Sequence, residues 1–332
     1  MKFTEMRFMQ IFQELCFSEL SDFLEYKESQ KKSSENTVYN YYRDLLSFFR
    51  YMRYIRGEVD RSVAFENITV NTVDLGFIKS IEEDDILRYI CYLEEIRNNS
   101  PKTIARKQTS IREFFKYLRT EQKIVKKDPS INTAMPDIQK SSLEFITEQE
   151  CIKLLDSIKG ENSERDYCIF VIFINCGLTL SELVGLNDTD IDSNGILTVR
   201  GSNGKTRRLL MNKACLEAVE DYKKYKEKFF EGKSYDHHAI FVGRHGKRLT
   251  ARWIEQSVKK RMKSAGFGDR KISPRNLRHT SAKIMYKRGV DIKVLQKILG
   301  HENMNATQVY AENSEDEQIK KAMSSITVKK SR

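Results

Sequence analysis

One arginine, one histidine and one tyrosine near the C-terminal end stand at spacings that suit attack on a phosphodiester. Arg278 lies in S-P-R-N-L-R-H-T (273–280), His301 in L-G-H (299–301), and Tyr310 closes T-Q-V-Y (307–310). Transferring a phosphodiester without metal or nucleotide needs a nucleophile, cations on the two non-bridging oxygens, and a proton for the leaving oxygen. Tyr310 is the candidate nucleophile, although an unperturbed phenol has a pKa of roughly 10 and needs help to ionise. Arg278 shares a helix face with Arg275 and presents a planar fork to phosphate. His301 projects from a turn after the helix-ending Gly300 and can donate to a phosphate oxygen. The scheme calls for no cofactor and no metal.

The elements that must hold these residues are mostly helical. Ser273 is a good N-cap with Pro274 at the first helical position, and Gly289 and Gly300 close two successive helices. Upstream, Thr147 and Glu150 form a capping box, Tyr167–Ile174 reads as a very apolar helix, and Thr179 with Glu182 forms a second capping box. Ile196–Val199, the turn Gly201-Ser202-Asn203-Gly204 and Leu209–Met211 read as a β-hairpin with a basic tip of Lys205, Arg207 and Arg208. Ala239–Val242 is a candidate extra strand.

The N-terminal half carries helical apolar spacing over residues 8–27, Val38–Tyr54 and Ile81–Ile96, and Ser100-Pro101 opens a further helix. Helices packed in this way make a compact all-α domain. On their other faces stand Lys102, Arg106, Lys107 and Arg112, candidate phosphate contacts, though solvated charge explains any one of them alone. Residues 124–143, polar, aperiodic and twice interrupted by proline, read as a linker between domains spanning 8–123 and 144–325.

The chain has 332 residues, enough for two ordinary domains, and is 39% hydrophobic with a net charge of +11. The basic residues cluster: between Asp269 and Gly300 nine Lys or Arg face two Asp. Such a face favours a polyanionic partner, and double-stranded DNA is the simplest. His245 in the basic turn G-R-H-G-K-R, and Arg252, Lys259 and Lys260 on the helix after it, extend this candidate surface; Trp253 reads as a packing residue. No apolar run approaches bilayer length and the N-terminus lacks a signal-peptide core, so a soluble, cytoplasmic protein with no membrane partner is expected. The six cysteines show no paired spacing and read as reduced core thiols. His237-His238 reads as a solvated loop rather than a metal site.

Four strings carry a resemblance to a known family: C-G-L-T-L-S-E-L-V-G-L (176–186), the G-x-x-G-K-x-R hairpin (201–207), P-R-N-L-R-H-T (274–280) and L-G-H-E-N-M-N-A-T-Q-V-Y (299–310). In order and spacing they resemble the tyrosine recombinase, or phage integrase, family, in particular the Xer-type recombinases of Gram-positive bacteria. The resemblance covers nearly the whole chain. It implies a mainly α protein with a helical, SAM-like core-binding domain and an α-rich catalytic domain containing a small antiparallel sheet. It also implies a C-shaped DNA clamp, cleavage through a 3′-phosphotyrosyl link, rejoining without a cofactor, and self-association or pairing with a paralogous recombinase on DNA. By position Tyr310 matches the nucleophile, Arg278 the second catalytic arginine, His301 the C-terminal histidine and His279 a supporting histidine. The acidic end 315–323 resembles the C-terminal helix that family members dock on a neighbouring subunit.

Three positions depart from that pattern. Thr179 stands where the family has its first catalytic arginine, Ser202 where it has the hairpin lysine, and Arg275 where it has a histidine. An arginine on a transferring phosphoryl group can be worth roughly 10³–10⁵ in rate, and a general acid roughly 10²–10⁴. Lys205 is a candidate replacement for the lysine and Arg275 a partial one for the arginine. The chain is therefore read as a site-specific recombinase of reduced or altered activity. A non-catalytic DNA-binding regulator or partner subunit is the alternative, and a DNA-relaxing enzyme of type IB topoisomerase kind is disfavoured because it needs the same missing cations.

Overall fold

The computed structural model describes residues 16–138, 144–201 and 204–312 and divides into two compact units, Met1–Lys140 and Ser141–Arg332. The described architecture is mainly helical with one small two-stranded sheet. None of the described helices is long and apolar enough to cross a membrane.

In the first unit α1 spans Ser18–Ser29, α2 Glu35–Ile55, α3 Leu75–Lys79 and α4 Glu83–Cys91, which continues through a wider π turn, Tyr92–Ile96. Helix α5 spans Pro101–Thr120, with the Ser100 hydroxyl accepting from the Thr103 amide at 3.3 Å and Pro101 in the first turn. Val38, Tyr42, Leu45, Phe48, Phe49 and Met52 line one face of α2 and are buried. Phe114 of α5 meets them, its ring centroid 5.6 Å from Phe49 and 5.5 Å from Phe23. Each such phenylalanine contributes roughly 1.5–3 kcal/mol on burial, and edge-to-face aromatic contacts fix their mutual angles.

The first part of the expected linker packs on the first unit. Val125, Asp128, Ser130 and Thr133 are buried against the first unit. Gln108 of α5 donates to Ala134 O at 2.8 Å and Arg112 donates to Ser130 O at 3.2 Å and to Thr133 O. Polar composition looked like a linker because these residues spend their polarity on backbone hydrogen bonds rather than on water. Residues 139–143 of that expected linker, and 8–15 of the first expected helix, lie outside the described residues.

The second unit contains α6 (Glu148–Asp156), α7 (Ser163–Cys176), α8 (Leu180–Gly185), β1 (Ile196–Arg200), β2 (Thr206–Leu210), α9 (Lys213–Phe229), α10 (Ala251–Ser264), α11 (Pro274–Lys287), α12 (Ile292–Leu299) and α13 (Asn305–Glu312). Helix α7 is the axis of this unit: Cys168 through Phe173 are all buried, and α9 and α11 pack on it. A helix apolar all round belongs in a core. β1 and β2 pair antiparallel with Leu197 opposite Leu209 and Val199 opposite Arg207. The expected strand at Ala239–Val242 does not join that sheet; its ends make only single bridges, Asn187 to Ala239 and Val242 to Arg248. The cysteine expectation holds except at Cys91, which is exposed. Among the described residues no group of His, Cys, Asp or Glu is arranged to hold a metal.

Candidate active site

Helix α11 sends two of its residues inward from one turn. Arg278, 8% exposed, donates Nη1 to Gly177 O at 3.0 Å and Nη2 to Leu299 O at 2.6 Å. It thus ties the C-terminal end of α7 to that of α12, where helix carbonyls lack intrahelical partners. Its Nη1 also lies 3.6 Å from Glu182 Oε2. Arg275, one turn earlier, is exposed and donates its Nε to His279 Nε2 at 3.3 Å.

His279 Nδ1 in turn lies 2.6 Å from the Tyr310 hydroxyl. Burial, then Arg275, Arg278 and His301, hold the His279 ring down at about 4, so it is neutral near pH 7. A neutral ring whose Nε2 accepts from Arg275 carries its hydrogen on Nδ1, so His279 donates to the tyrosine oxygen. Tyr310 itself is 3% exposed. Burial pushes its phenol up, while Arg278 and Arg275 pull it back toward ionisation.

Gly300 ends α12 in the left-handed region (φ 68°), and the next residue, His301, places its Nδ1 2.9 Å from the Thr307 hydroxyl of α13. The ring is thereby fixed by the same short helix that carries Tyr310. His301 is likewise held down at about 4, by burial and then by Arg278 and Arg207, with Glu182 opposing.

Across from α11 stands Thr179, capping α8. Its hydroxyl accepts from the Glu182 amide at 3.3 Å, and its own amide donates to Glu182 Oε2 at 2.8 Å. Glu182 also receives a two-pronged bond from β2: Arg207 Nη1 to Oε1 at 2.6 Å and Nη2 to Oε2 at 2.9 Å. Burial raises the Glu182 carboxyl, but Arg207, Thr179 and Arg278 outweigh it and hold the group below its ordinary value. These residues, with Lys205, Arg278, His301 and Glu302, line a cavity of about 540 Å³.

The structure sorts the other sequence candidates. Arg207, expected as a DNA contact, is turned into the protein: Leu209, two residues on, is buried on the same face of the strand. Arg208 faces the opposite way, exposed and 3.4 Å from Asp192. Lys205 bonds Glu302 at 2.8 Å at the rim of the cavity, and Ser202 lies outside the described residues. In the first unit the exposed Arg106 bonds the buried Asp44 at 2.5 Å, the half-buried Lys107 lies 4.0 Å from the same carboxylate, and the half-buried Arg112 donates to backbone carbonyls. Lys102, His245 and Arg252 are exposed, His245 accepting from Arg244 Nε at 3.0 Å. Trp253 packs under Arg165, 4.3 Å from the ring centroid. Arg275 sits against His279. The tail 315–323 is outside the described residues.

Two site residues escaped the sequence reading. In the sequence Glu182 reads only as a cap, and Thr307 as part of a string. The signal for Glu182 was an acid three residues after a cap next to an inward-facing strand arginine, a combination that demands a partner for buried charge.

Comparison with known proteins extends this picture. The phage integrase family model matches residues 144–317, and the N-terminal SAM-like domain of phage integrases matches residues 20–122. Tyrosine recombinase XerC of Caldanaerobacter subterraneus subsp. tengcongensis is 38% identical over 92% of this chain and 85% of its own length. Tyrosine recombinase XerD of Halalkalibacterium halodurans is 29% identical over 88% of this chain and 91% of its own. Among solved structures, the Tn1549 transposon integrase in complex with transposon right end DNA aligns over 92% of this chain and 99% of that one, with a TM-score of 0.66 at 21% identity. XerH bound to its difH substrate aligns over 88% and 80%, with a TM-score of 0.63 at 19% identity. The two structural likenesses establish the fold, and the family model and the XerC relative, covering the helices that carry Arg278, His301 and Tyr310, establish descent: this chain belongs to the phage integrase family and is a Xer-type tyrosine recombinase.

Proposed function

We propose that the protein is a site-specific DNA recombinase that cleaves and rejoins duplex DNA through a 3′-phosphotyrosyl intermediate on Tyr310. The observation that carries this reading is the 2.6 Å contact between Tyr310 and a donating, neutral His279, beside Arg278 and His301. In the forward step the Tyr310 phenol releases its proton to solvent, its oxygen bonds to phosphorus, and the bond from phosphorus to the 5′ oxygen breaks. His279 Nδ1–H stabilises the tyrosine oxygen as it gains anionic character, and Arg278 and His301 hold the non-bridging oxygens. Lys205, at the cavity rim, is the proton donor proposed for the leaving oxygen. Attack by a 5′ hydroxyl on the phosphotyrosine reverses the step, and the phosphotyrosyl bond conserves the energy, so no cofactor is required.

Double-stranded DNA is the proposed partner, with self-association or a paralogous recombinase completing the synapse, in the cytoplasm. The Tn1549 integrase and XerH structures, both DNA complexes, support that reading. The exposed Lys102, Arg208, His245 and Arg252 are the proposed backbone contacts.

Thr179 and Arg275, in place of expected catalytic residues, favour a second reading in which the protein binds DNA without cutting it, as a regulator or partner subunit. A nicked suicide substrate from the native locus separates the two. Covalent protein–DNA adduct on a denaturing gel, absent from Tyr310→Phe, is the expected result. Intact DNA binding with no adduct from the unaltered chain would establish the non-catalytic reading instead.

A further inference from the structure

We propose that Arg207, a strand residue, supplies the phosphate-holding guanidinium that Thr179 lacks, an assignment that rests on the strand-transfer reading above. A transferring phosphodiester presents two non-bridging oxygens, and Arg278 is one fork aimed at them. The threonine at 179 cannot be the second, being short, uncharged and occupied in its capping box. Arg207 reaches the same place from the hairpin. Its two Nη atoms grip Glu182, whose Oε2 lies 3.6 Å from Arg278 Nη1, so the two guanidinium groups share one carboxylate. A Cβ built on Gly300 would sit 3.0 Å from Arg207 Nη1, which places that nitrogen directly beneath the turn that presents His301. Arg207, Arg278 and His301 all line the one cavity.

Donor and charge accounting agree. A guanidinium has five N–H donors. Arg207 uses one on Ile298 O at 2.7 Å and one from each Nη on Glu182, leaving two N–H groups outside those bonds. One buried and one half-buried guanidinium group against one carboxylate leave a surplus positive charge, which a phosphate monoanion would neutralise. The other cations are less well placed: Arg275 is exposed on His279, and Lys205 is held by Glu302 at the rim.

The competing explanation is that Arg207 only cross-links the hairpin to α8. Single-turnover adduct formation by the full chain decides between them, using two suicide substrates: one with a normal scissile phosphodiester, the other with a methylphosphonate, in which a neutral methyl replaces one charged oxygen. The expected result for Arg207→Gln is a loss of about 10³-fold or more on the phosphodiester, with most of that deficit erased on the methylphosphonate. Should the single variant fail to fold, Arg207→Gln with Glu182→Gln removes both charges together and is measured in the same way. Equal deficits on the two substrates, with DNA binding retained, reduce Arg207 to a structural tie and overturn the proposal, as does undiminished activity. Failure of the unaltered chain to form any adduct sinks the strand-transfer reading and this proposal together, whereas a normal wild-type adduct with an unimpaired variant sinks this proposal alone.

Discussion

His279 Nδ1 lies 2.6 Å from the hydroxyl of Tyr310, and the ring's other nitrogen accepts from Arg275. An arginine that broke the family pattern in the sequence therefore has a definite job: it fixes which ring nitrogen carries the hydrogen and keeps the ring neutral. Lysine at 275 would retain charge without the same planar N–H geometry.

Removing that arginine should free both properties. In Arg275→Ala the His279 pKa is expected to rise from about 4 toward its ordinary 6.5, since one of the charges suppressing it is gone. Adduct formation should slow by about 10- to 100-fold, a fraction of a full general acid–base contribution. Histidine NMR titration with His279→Asn as the assignment control checks the first point, and an unmoved His279 resonance would show that burial alone sets the ring.

Stability should fall on the acid side for a specific reason. His279 and His301 each titrate at about 4 when folded against 6.5 in the free side chain. The unfolded chain therefore binds protons first, and the stability these rings contribute is complete above pH 6.5 and lost as pH falls from there through 4. Thermal melts from pH 8 to pH 4 should show a steeper acid loss for the unaltered chain than for His279→Asn with His301→Asn. Identical slopes would mean that the rings protonate without cost.

Glu182 holds two cations in the interior, so Glu182→Ala should do more than delete a cap. With Arg207 and Arg278 left facing each other, the expected cost is about 3–5 kcal/mol, the range for stranding buried charge. Urea denaturation measures it. A loss below about 1 kcal/mol, typical of a cap alone, would show that the guanidinium groups do not depend on this carboxylate.

The basic residues should divide by function under salt titration. DNA affinity is expected to fall with a log–log slope of about −0.9 per phosphate contacted, and Lys102→Ala or Arg252→Ala should each lower that slope by about 1. Arg112→Ala should leave the slope alone and cost about 1.5–3 kcal/mol of stability, because its hydrogen bonds go to Ser130 and Thr133 carbonyls. A change of salt slope in Arg112→Ala would return it to the DNA-facing surface.

Local sequence determined the elements and which residues are chemically able to act. The 3.6-residue apolar repeat of Val38, Tyr42, Leu45, Phe49 and Met52, the Ser100-Pro101 and Thr147–Glu150 starts and the all-apolar run in α7 each follow from interactions within a few residues, so they are legible in order along the chain. Tyr310, Arg278 and His301 are legible as candidates for the same reason, lying on adjacent short elements with fixed spacing. What only the tertiary structure decided is where each cation goes. Arg207 and Arg208 are neighbours of one type, yet the pleat turns one onto Glu182 and the other outward. Arg112 and Lys102 share a helix, yet only Arg112 meets the returning chain at Ser130 and Thr133. A long charged side chain carries little local preference, and its partner is chosen by groups far away in sequence. Glu182 and Arg207 stand 25 residues apart, so their pairing exists only once α8 and the hairpin have packed.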